Sequence, residues 1–209
     1  MPLIVHATDR YVVAHKPAGL LSVPGKAADN KDCVAARIAA LFPHATGPLV
    51  VHRLDMDTSG LIVLGLDADA QRELSGQFES RLVEKAYIAL VEGILGRDAG
   101  TIDVPMRPDI DNRPYQIIDP DRGRQAVTHW TVLALETDRT RLRMVPLTGR
   151  THQLRVHAAH MGHPIIGDVL YGPQHDHHPG GRLMLHASEL SFREPGTGSR
   201  VRFTSAAPF

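Results

Sequence analysis

Apolar and polar positions alternate along this chain with two different periods, which separate strands from helices. The clearest period of two lies at 140–146, where Leu142 and Met144 oppose Arg141 and Arg143. The same alternation, or a short apolar run rich in β-branched residues, predicts further strands. They are expected at 11–15, 49–51, 61–64, 87–91, 126–135, 183–186 and 201–203.

Helical spacing predicts three helices. In the first, Val34, Ile38 and Leu41 recur at helical intervals, and Pro43 ends the helix. The second has an N-cap aspartate before one apolar stripe, and the third stops at a glycine. Their positions are Asp67 with Ala70, Leu74 and Phe78, and 151–161 with Gly162. Strands dominate without a regular βα order, which predicts an α+β fold with a mixed or antiparallel sheet.

Two segments interrupt these patterns, and neither divides the chain. Residues 105–124 mix proline, glycine and charge, which predicts a loop or a hairpin with a long connection. Residues 172–182 are polar and rich in glycine, proline and histidine, so a surface loop is expected there. Without a linker or a repeat, residues 1–209 are expected to form one domain.

Composition favours a soluble protein in a reducing compartment. No apolar run approaches the ~18 residues of a membrane span, and the N-terminus lacks the features of a signal peptide. The one cysteine, Cys33, excludes an intramolecular disulfide and is expected to be a small buried residue. A cytoplasmic protein with no membrane association is therefore expected.

Net charge argues against a general nucleic-acid coat, because 23 Lys and Arg balance 23 Asp and Glu. Arginines nevertheless cluster in two stretches, and arginine suits phosphate contacts and stacking on bases. A local basic patch on a neutral body fits an enzyme that recognises RNA shape, although each arginine alone could be a solvated surface residue. The clustered residues are Arg107, Arg113, Arg122, Arg124, Arg139, Arg141, Arg143, Arg150 and Arg155.

One aspartate stands out in the segment 51–65. Asp55 lies at the bend between an apolar entry and an apolar exit, which is an unusual place for a merely solvated charge. The alternative is an aspartate that caps a turn, with Thr58 and Ser59 in similar roles.

Four segments in this order resemble the RluA-type pseudouridine synthases. They are His15-Lys16-Pro17-Ala18-Gly19-Leu20, His52-Arg53-Leu54-Asp55, Glu84-Lys85-Ala86-Tyr87, and Pro146-Leu147-Thr148-Gly149-Arg150-Thr151-His152-Gln153-Leu154-Arg155-Val156-His157 followed by Gly162-His163-Pro164-Ile165 and Gly167-Asp168. The second and fourth segments are long and unusual, so their joint appearance is specific.

The resemblance implies a pseudouridine synthase catalytic core, with a long mixed or antiparallel sheet, flanking helices and a central RNA-binding cleft. No N-terminal S4 domain is expected, since the core pattern begins near residue 1. The implied function is isomerisation of specific uridines in ribosomal RNA, transfer RNA or both. The N1–C1′ bond breaks, the base turns, and C5 bonds to C1′. A single carboxylate in a water-poor pocket suits this reaction, because water would trap the sugar.

Site residues follow from the same resemblance. Asp55 is the expected catalytic residue, Arg155 keeps it ionised and aimed, and Tyr87 stacks under the uracil. Arg53 supports flipping of the base. On a helix, His152 would share a face with Arg155. Further contacts with RNA or the pocket wall are expected from His52, Arg150, His152 and Leu185. Without the family match, Arg155 would read as a helix-surface arginine, and Tyr87 and Leu185 as core residues.

Two other classes of function stay open at this point. One is a noncatalytic RNA-binding or ribosome-assembly factor on the same fold. The other is a metal hydrolase using His175, His177 and His178, although these residues match no familiar ligand spacing. No nucleotide- or metal-binding motif occurs, so no cofactor or metal is expected. RNA is the expected partner, with no required protein partner and a monomeric state.

Overall fold

A computed structural model describes residues 3–25, 31–173 and 181–209. Within these ranges the chain forms eleven strands and three helices. The strands are β1 (Leu3–Ala7), β2 (Tyr11–Lys16), β3 (Ser59–Gly65), β4 (Glu84–Glu92), β5 (Ala99–Asp103), β6 (Met106–Pro108), β7 (Gln116–Ile118), β8 (Val127–Leu135), β9 (Arg139–Pro146), β10 (Leu185–Arg193) and β11 (Arg200–Thr204), and the helices are α1 (Val34–Leu41), α2 (Ala68–Glu79) and α3 (Gln153–His160). None of the described helices is long and apolar enough to span a membrane.

The chain divides into two compact units. Unit 1 comprises Met1–Lys85 and His186–Pro208, and unit 2 comprises Ala86–Leu185 with Phe209.

Unit 1 is built on a mixed sheet in which the strand order is β1-β2-β3-β10-β11. Strands β2 and β3 pair antiparallel along their whole length, whereas β3 and β10 pair parallel at only two positions. Gly60 permits that short contact: its φ is +118°, and a Cβ there would lie 2.3 Å from the Ala187 carbonyl oxygen. The parallel pair ends directly after Gly60, and β3 beyond this point needs other partners on that edge.

Helix α2 covers one face of the unit 1 sheet. Its N-cap Asp67 accepts a hydrogen bond from the Ala70 N–H at 2.8 Å, as the sequence predicts. Leu74 of α2 packs with strand residues in one apolar cluster, which includes Tyr11, Val13, Leu61, Val63, Leu190 and Phe192. The alternate residues of β3, Ile62 and Leu64, are also buried. Strand β3 is therefore buried on both faces.

Unit 2 contains an antiparallel sheet with the order β4-β9-β8-β5, and a separate hairpin of β6 and β7. Leu142 and Met144 of β9 are buried, and Trp130 of β8 pairs with Met144. These three residues form an apolar cluster to which helix α3 contributes Leu154 and Ala158. The core of unit 2 thus fixes α3 against its sheet.

The α+β class, the mixed sheet, all three helices and the hairpin within 105–124 are confirmed. Two strands were not predicted, β1 and β5, because both are short and mostly exposed. Gly100 makes β5 still harder to predict, because glycine is uncommon within strands. Its lack of a side chain lets Trp130 pack closely, since a Cβ at Gly100 would lie 2.7 Å from the indole.

Two expectations need correction, and a third, for Cys33, gains a detail. Residues 49–51 are not a strand, because only Val50 forms a bridge, to Leu64, and the next β3 N–H donates to the His52 side chain instead of a strand. His152 precedes α3 in a left-handed conformation (φ +53°), so residues 151–152 are not helical. Cys33 is buried as expected, but it caps α1, since its Sγ accepts from the Ala36 N–H at 3.4 Å.

Candidate active site

Asp55 lies in an irregular segment that runs from His52 into β3. The side chain is partly buried. A turn follows directly, closed by a hydrogen bond of 3.2 Å from the Thr58 N–H to the Asp55 carbonyl oxygen. Between 52 and 58 the chain has no strand partner, so its backbone groups are held by other means.

The end of β2 and the loop after it supply several of these partners. Lys16 is fully buried, and its Nζ donates to the carbonyl oxygens of Leu20 at 2.7 Å and Met56 at 2.6 Å. The Gly19 N–H donates to the same Met56 carbonyl at 3.0 Å. Ser22 acts on the other side of Asp55: its Oγ donates to the Leu54 carbonyl at 2.7 Å and accepts from the Leu54 N–H at 3.0 Å. The residues before and after Asp55 are therefore both fixed by the end of β2 and the loop after it.

His52 is occupied by contacts within unit 1. Its Nε2 accepts a hydrogen bond from the Val63 N–H at 3.1 Å, and its ring stacks on Phe78 with a centroid distance of 4.3 Å. Burial, and secondarily the Lys85 ammonium, lower the pKa of His52 to about 3. Because an acceptor nitrogen must carry a lone pair, the neutral ring is the form that this arrangement stabilises.

Arg155 and Asp168 form a buried ion pair in unit 2. The Nε and Nη2 atoms of Arg155 donate to the two carboxylate oxygens at 2.8 and 2.6 Å. Only 4% of the Arg155 side chain and none of the Asp168 side chain is exposed. Arg155 is thus not a helix-surface residue, and Asp168 sets the orientation of its guanidinium. Asp168 also accepts from the backbone N–H groups of Leu170 and Tyr171.

Tyr171 connects Arg155 with His152. The guanidinium carbon of Arg155 lies 5.3 Å from the centre of the Tyr171 ring, a cation–π distance. The Tyr171 hydroxyl accepts from the Gln116 N–H at 2.9 Å and lies 2.8 Å from His152 Nδ1. The predicted proximity of His152 and Arg155 therefore arises through Tyr171, and not through a shared helix face.

A buried polar network fixes the start of α3. The Gln153 amide oxygen accepts from the Thr148 hydroxyl at 2.7 Å and from the Arg150 N–H at 3.0 Å. The Gln153 amide nitrogen donates to the Val127 carbonyl and to the Thr128 hydroxyl, both at 3.0 Å. Gln153 thereby makes four hydrogen bonds, and the loop that carries Arg150 is tied to β8.

The other predicted site residues are placed as follows. Tyr87 is partly buried on β4, where it pairs with Met144 and packs against the unit 2 core. Leu185 is buried in that same core cluster. Arg53 is exposed, and Arg150 Nε donates to the Gln125 carbonyl at 3.1 Å.

Unit 1 therefore brings Asp55, Arg53 and His52 together, and unit 2 brings Arg155, His152 and Arg150 together. The pairing of Asp55 with Arg155 stays a prediction. The sequence assigned no role to four residues that hold the site. Gln153, Asp168 and Tyr171 contact the predicted residues Arg150, Arg155 and His152, and Ser22 holds Leu54 next to Asp55. Asp168 could have been found, because it follows Gly167 in a motif that already carries Arg155.

Within the described ranges, no cluster of three or more His, Cys, Asp or Glu residues could hold a metal ion. The histidines of the metal-hydrolase alternative, His175, His177 and His178, lie outside the described residues.

Comparison with known proteins identifies the family. Residues 10–160 match the model of the RNA pseudouridylate synthase family. A dual-specificity RNA pseudouridine synthase RluA of Yersinia pestis is 45% identical over 209 residues, which cover 99% of this chain and 100% of the relative. The RluA of Escherichia coli K12 is 41% identical over 208 residues, covering 99% of this chain and 94% of the relative.

Solved structures agree with this assignment. Human RNA pseudouridylate synthase domain containing 1 superposes with a TM-score of 0.80 at 28% identity, covering 100% of this chain and 84% of the human chain. Human RNA pseudouridylate synthase domain containing 4 gives 0.79 at 26% identity, with coverages of 99% and 88%. A sheet-based α+β core with these motifs defines an isomerase acting on RNA. This chain belongs to the RNA pseudouridylate synthase family, and the predicted fold, family and enzyme class are confirmed.

Proposed function

We propose that this pseudouridine synthase isomerises specific uridines in stem-loops of ribosomal RNA and transfer RNA in the cytoplasm, with Asp55 as the catalytic carboxylate. The observation that carries the proposal is the fixation of the backbone on both sides of Asp55. Ser22 holds Leu54, and Lys16 with Gly19 holds Met56. A reacting carboxylate benefits from such preorganisation, because misplacement by about 1 Å can cost on the order of 100-fold in rate.

Arg155 is proposed to keep the Asp55 carboxylate ionised and directed at the ribose. Its support is the buried ion pair with Asp168, which presents a guanidinium of fixed orientation. A fixed cation favours the charged form of a nearby carboxylate. Two modes of action stay open for Asp55, attack on a sugar carbon and removal of a ribose proton.

Other residues are proposed to act on the flipped nucleotide. Tyr87 stacks under the uracil, and Leu185 belongs to the apolar wall beside it. Arg53, an exposed arginine two residues before Asp55, fills the space that the base leaves in the RNA stack. Arg150 and His152 contact the RNA backbone next to α3.

The substrate class is proposed from the relatives, whose names describe dual-specificity RNA pseudouridine synthases. Recognition of loops in both kinds of RNA depends on shape and splayed bases, so one active site can serve two RNAs. A monomer without a required protein partner and without a cofactor is sufficient for this chemistry.

The test is pseudouridine mapping of ribosomal and transfer RNA from cells that lack the gene, complemented with wild type, Asp55→Asn or Asp57→Asn. Asp57→Asn is the matched control, because it removes the same charge two residues away. Wild type and Asp57→Asn should restore the missing pseudouridines, whereas Asp55→Asn should restore none and still bind RNA.

The competing function is a noncatalytic RNA-binding or assembly factor. It predicts that wild type restores no pseudouridine at any position, and that Asp55→Asn complements every phenotype of the deletion. That result would overturn the proposed reaction.

A further inference from the structure

The His52 imidazole accepts a hydrogen bond from β3 that the backbone carbonyl of a neighbouring strand would otherwise accept. On this edge of β3, Val50 forms a bridge with Leu64, and the Gly65 N–H donates to the Leu49 carbonyl at 2.9 Å. The next N–H to need a partner belongs to Val63, which is fully buried. It donates to His52 Nε2 at 3.1 Å. A buried N–H without a partner costs about 1–3 kcal/mol, so the ring replaces an otherwise necessary strand residue.

This replacement lets the chain leave the sheet three residues before Asp55. The backbone from His52 onward is irregular, and Ser22 holds it at Leu54 through both the N–H and the carbonyl. Phe78 of α2 fixes the plane of the His52 ring, because the two rings stack with an interplanar angle of 17°. The path of the chain between Asp55 and β3 is thus set by the His52 and Ser22 side chains, and the His52 ring is in turn held by Phe78 of α2.

We propose that His52 is a positioning residue, and that its neutral imidazole acts as a surrogate backbone acceptor which, together with Ser22, sets the path of the chain into Asp55. This inference rests on the proposed function of Asp55. It differs from the expectation that His52 contacts RNA, since the ring nitrogen that accepts and the ring face that stacks are engaged within unit 1.

The protonation state agrees with this role. Burial and the nearby Lys85 ammonium disfavour the imidazolium, so the accepting lone pair persists throughout the neutral pH range. The Nζ atom of Lys85 lies 6.0 Å from the centre of the Phe78 ring.

The test compares His52→Gln with His52→Phe. Glutamine can present a carbonyl oxygen at about the reach of Nε2, whereas phenylalanine keeps the stack on Phe78 and removes the acceptor. His44→Phe is the matched control, because His44 is an exposed histidine of the same unit. The measurements are hydrogen exchange of the Val63 amide, kcat and KM on transfer RNA from cells lacking the gene, and the Kd for that RNA.

For His52→Phe we expect Val63 exchange to accelerate about tenfold and kcat to fall about 10- to 100-fold, with Kd unchanged. His52→Gln should restore most of the protection of Val63 from exchange and most of kcat, and His44→Phe should change neither quantity. If His52→Phe does not fold, Ser22→Ala replaces it, with the same expected fall in kcat at constant Kd.

Two results would overturn the inference. One is a higher Kd with unchanged kcat in His52→Phe, and the other is a Val63 amide exchange rate that stays the same when the acceptor is removed. Failure of the proposed function has a different signature. In that case wild type forms no pseudouridine, while Val63 exchange still responds to His52→Phe and recovers in His52→Gln.

Discussion

Single buried polar side chains fix the segments that carry the predicted chemistry. Ser22 satisfies both backbone groups of Leu54, and Gln153 makes four hydrogen bonds around the loop before α3. Each of these residues replaces partners that regular secondary structure would have provided. Their energetic importance lies in the cost of leaving such groups unpaired, which exceeds the net gain from forming an average hydrogen bond.

The Arg155–Asp168 pair gives a stability prediction at this scale. Asp168→Asn keeps an oxygen for the backbone N–H groups of Leu170 and Tyr171 but removes the charge opposite Arg155. A stranded buried guanidinium should lower the free energy of unfolding by about 3–5 kcal/mol. Urea denaturation measures the loss, and Asp168→Ala should cost more because it also removes the backbone contacts.

The double variant Arg155→Met/Asp168→Asn isolates the stranded charge. It should be more stable than Asp168→Asn alone, since no buried cation remains. A double variant that is less stable than Asp168→Asn would show that the ion pair is not the source of the loss.

Among the elements, those with a strong apolar period were predictable, and those held by side chains were not. Strand β9 follows its alternation, and α2 begins at its N-cap Asp67 with its stripe buried as expected. The prediction of a strand at 49–51 was wrong because the His52 side chain, and not a further strand residue, accepts the next hydrogen bond from β3. The pattern of apolar residues contains no sign of such a contact. Strand β5 was not predictable because its residues are mostly exposed and because it contains Gly100, which lets Trp130 pack closely against the strand.

The candidate site shows the same division. Motifs indicated Asp55, Tyr87 and Arg155, but motif matching alone could not show what orients them. The Asp168 partner of Arg155 lies 13 positions further along the chain, and Tyr171 reaches both Arg155 and His152 through the fold. Such contacts depend on packing, which the local pattern of the sequence does not contain.

Helix α3 carries a pH-dependent contribution to stability. His157 is fully buried, with Nδ1 2.9 Å from the Thr128 hydroxyl, and burial lowers its pKa to about 4. The unfolded chain has the ordinary value near 6.5 and so binds the extra proton between these limits. The stabilisation by His157 is therefore complete above pH ~6.5 and is lost as the pH falls toward ~4, at up to about 1.4 kcal/mol per pH unit.

Replacement of His157 by asparagine tests this sign. Asparagine can still accept from Thr128 but does not titrate, so His157→Asn should be less stable at pH 7.5 and lose less stability down to pH 4.5. Urea unfolding across this range measures the difference, with the exposed His44→Asn as control. Parallel pH profiles of His157→Asn and wild type would contradict the assignment.

Over the whole molecule, charge is balanced, so attraction to RNA must come from local arginines. The chain has 23 basic and 23 acidic side chains. Several of the clustered arginines are engaged within the protein: Arg107 with Asp119, Arg141 with Glu136, and Arg155 with Asp168. The β6–β7 hairpin and the residues after it nevertheless expose Arg113, Arg122 and Arg124. These exposed side chains are the candidates for phosphate contacts.

The salt dependence of RNA binding distinguishes the exposed arginines from those that are ion-paired within the protein. Each phosphate contact contributes about one to the slope of log Kd against log salt concentration, so Arg113→Gln and Arg122→Gln should each reduce the slope by about 1. Arg107→Gln removes the same charge from the same hairpin, but Arg107 Nε lies 2.5 Å from the Asp119 carboxylate, so the slope should not change. Titrations of transfer RNA between about 50 and 200 mM salt measure these slopes. An equal reduction in all three variants would mean that RNA binding depends on the summed charge of the hairpin and the residues after it, and the distinction between ion-paired and exposed arginines would fail.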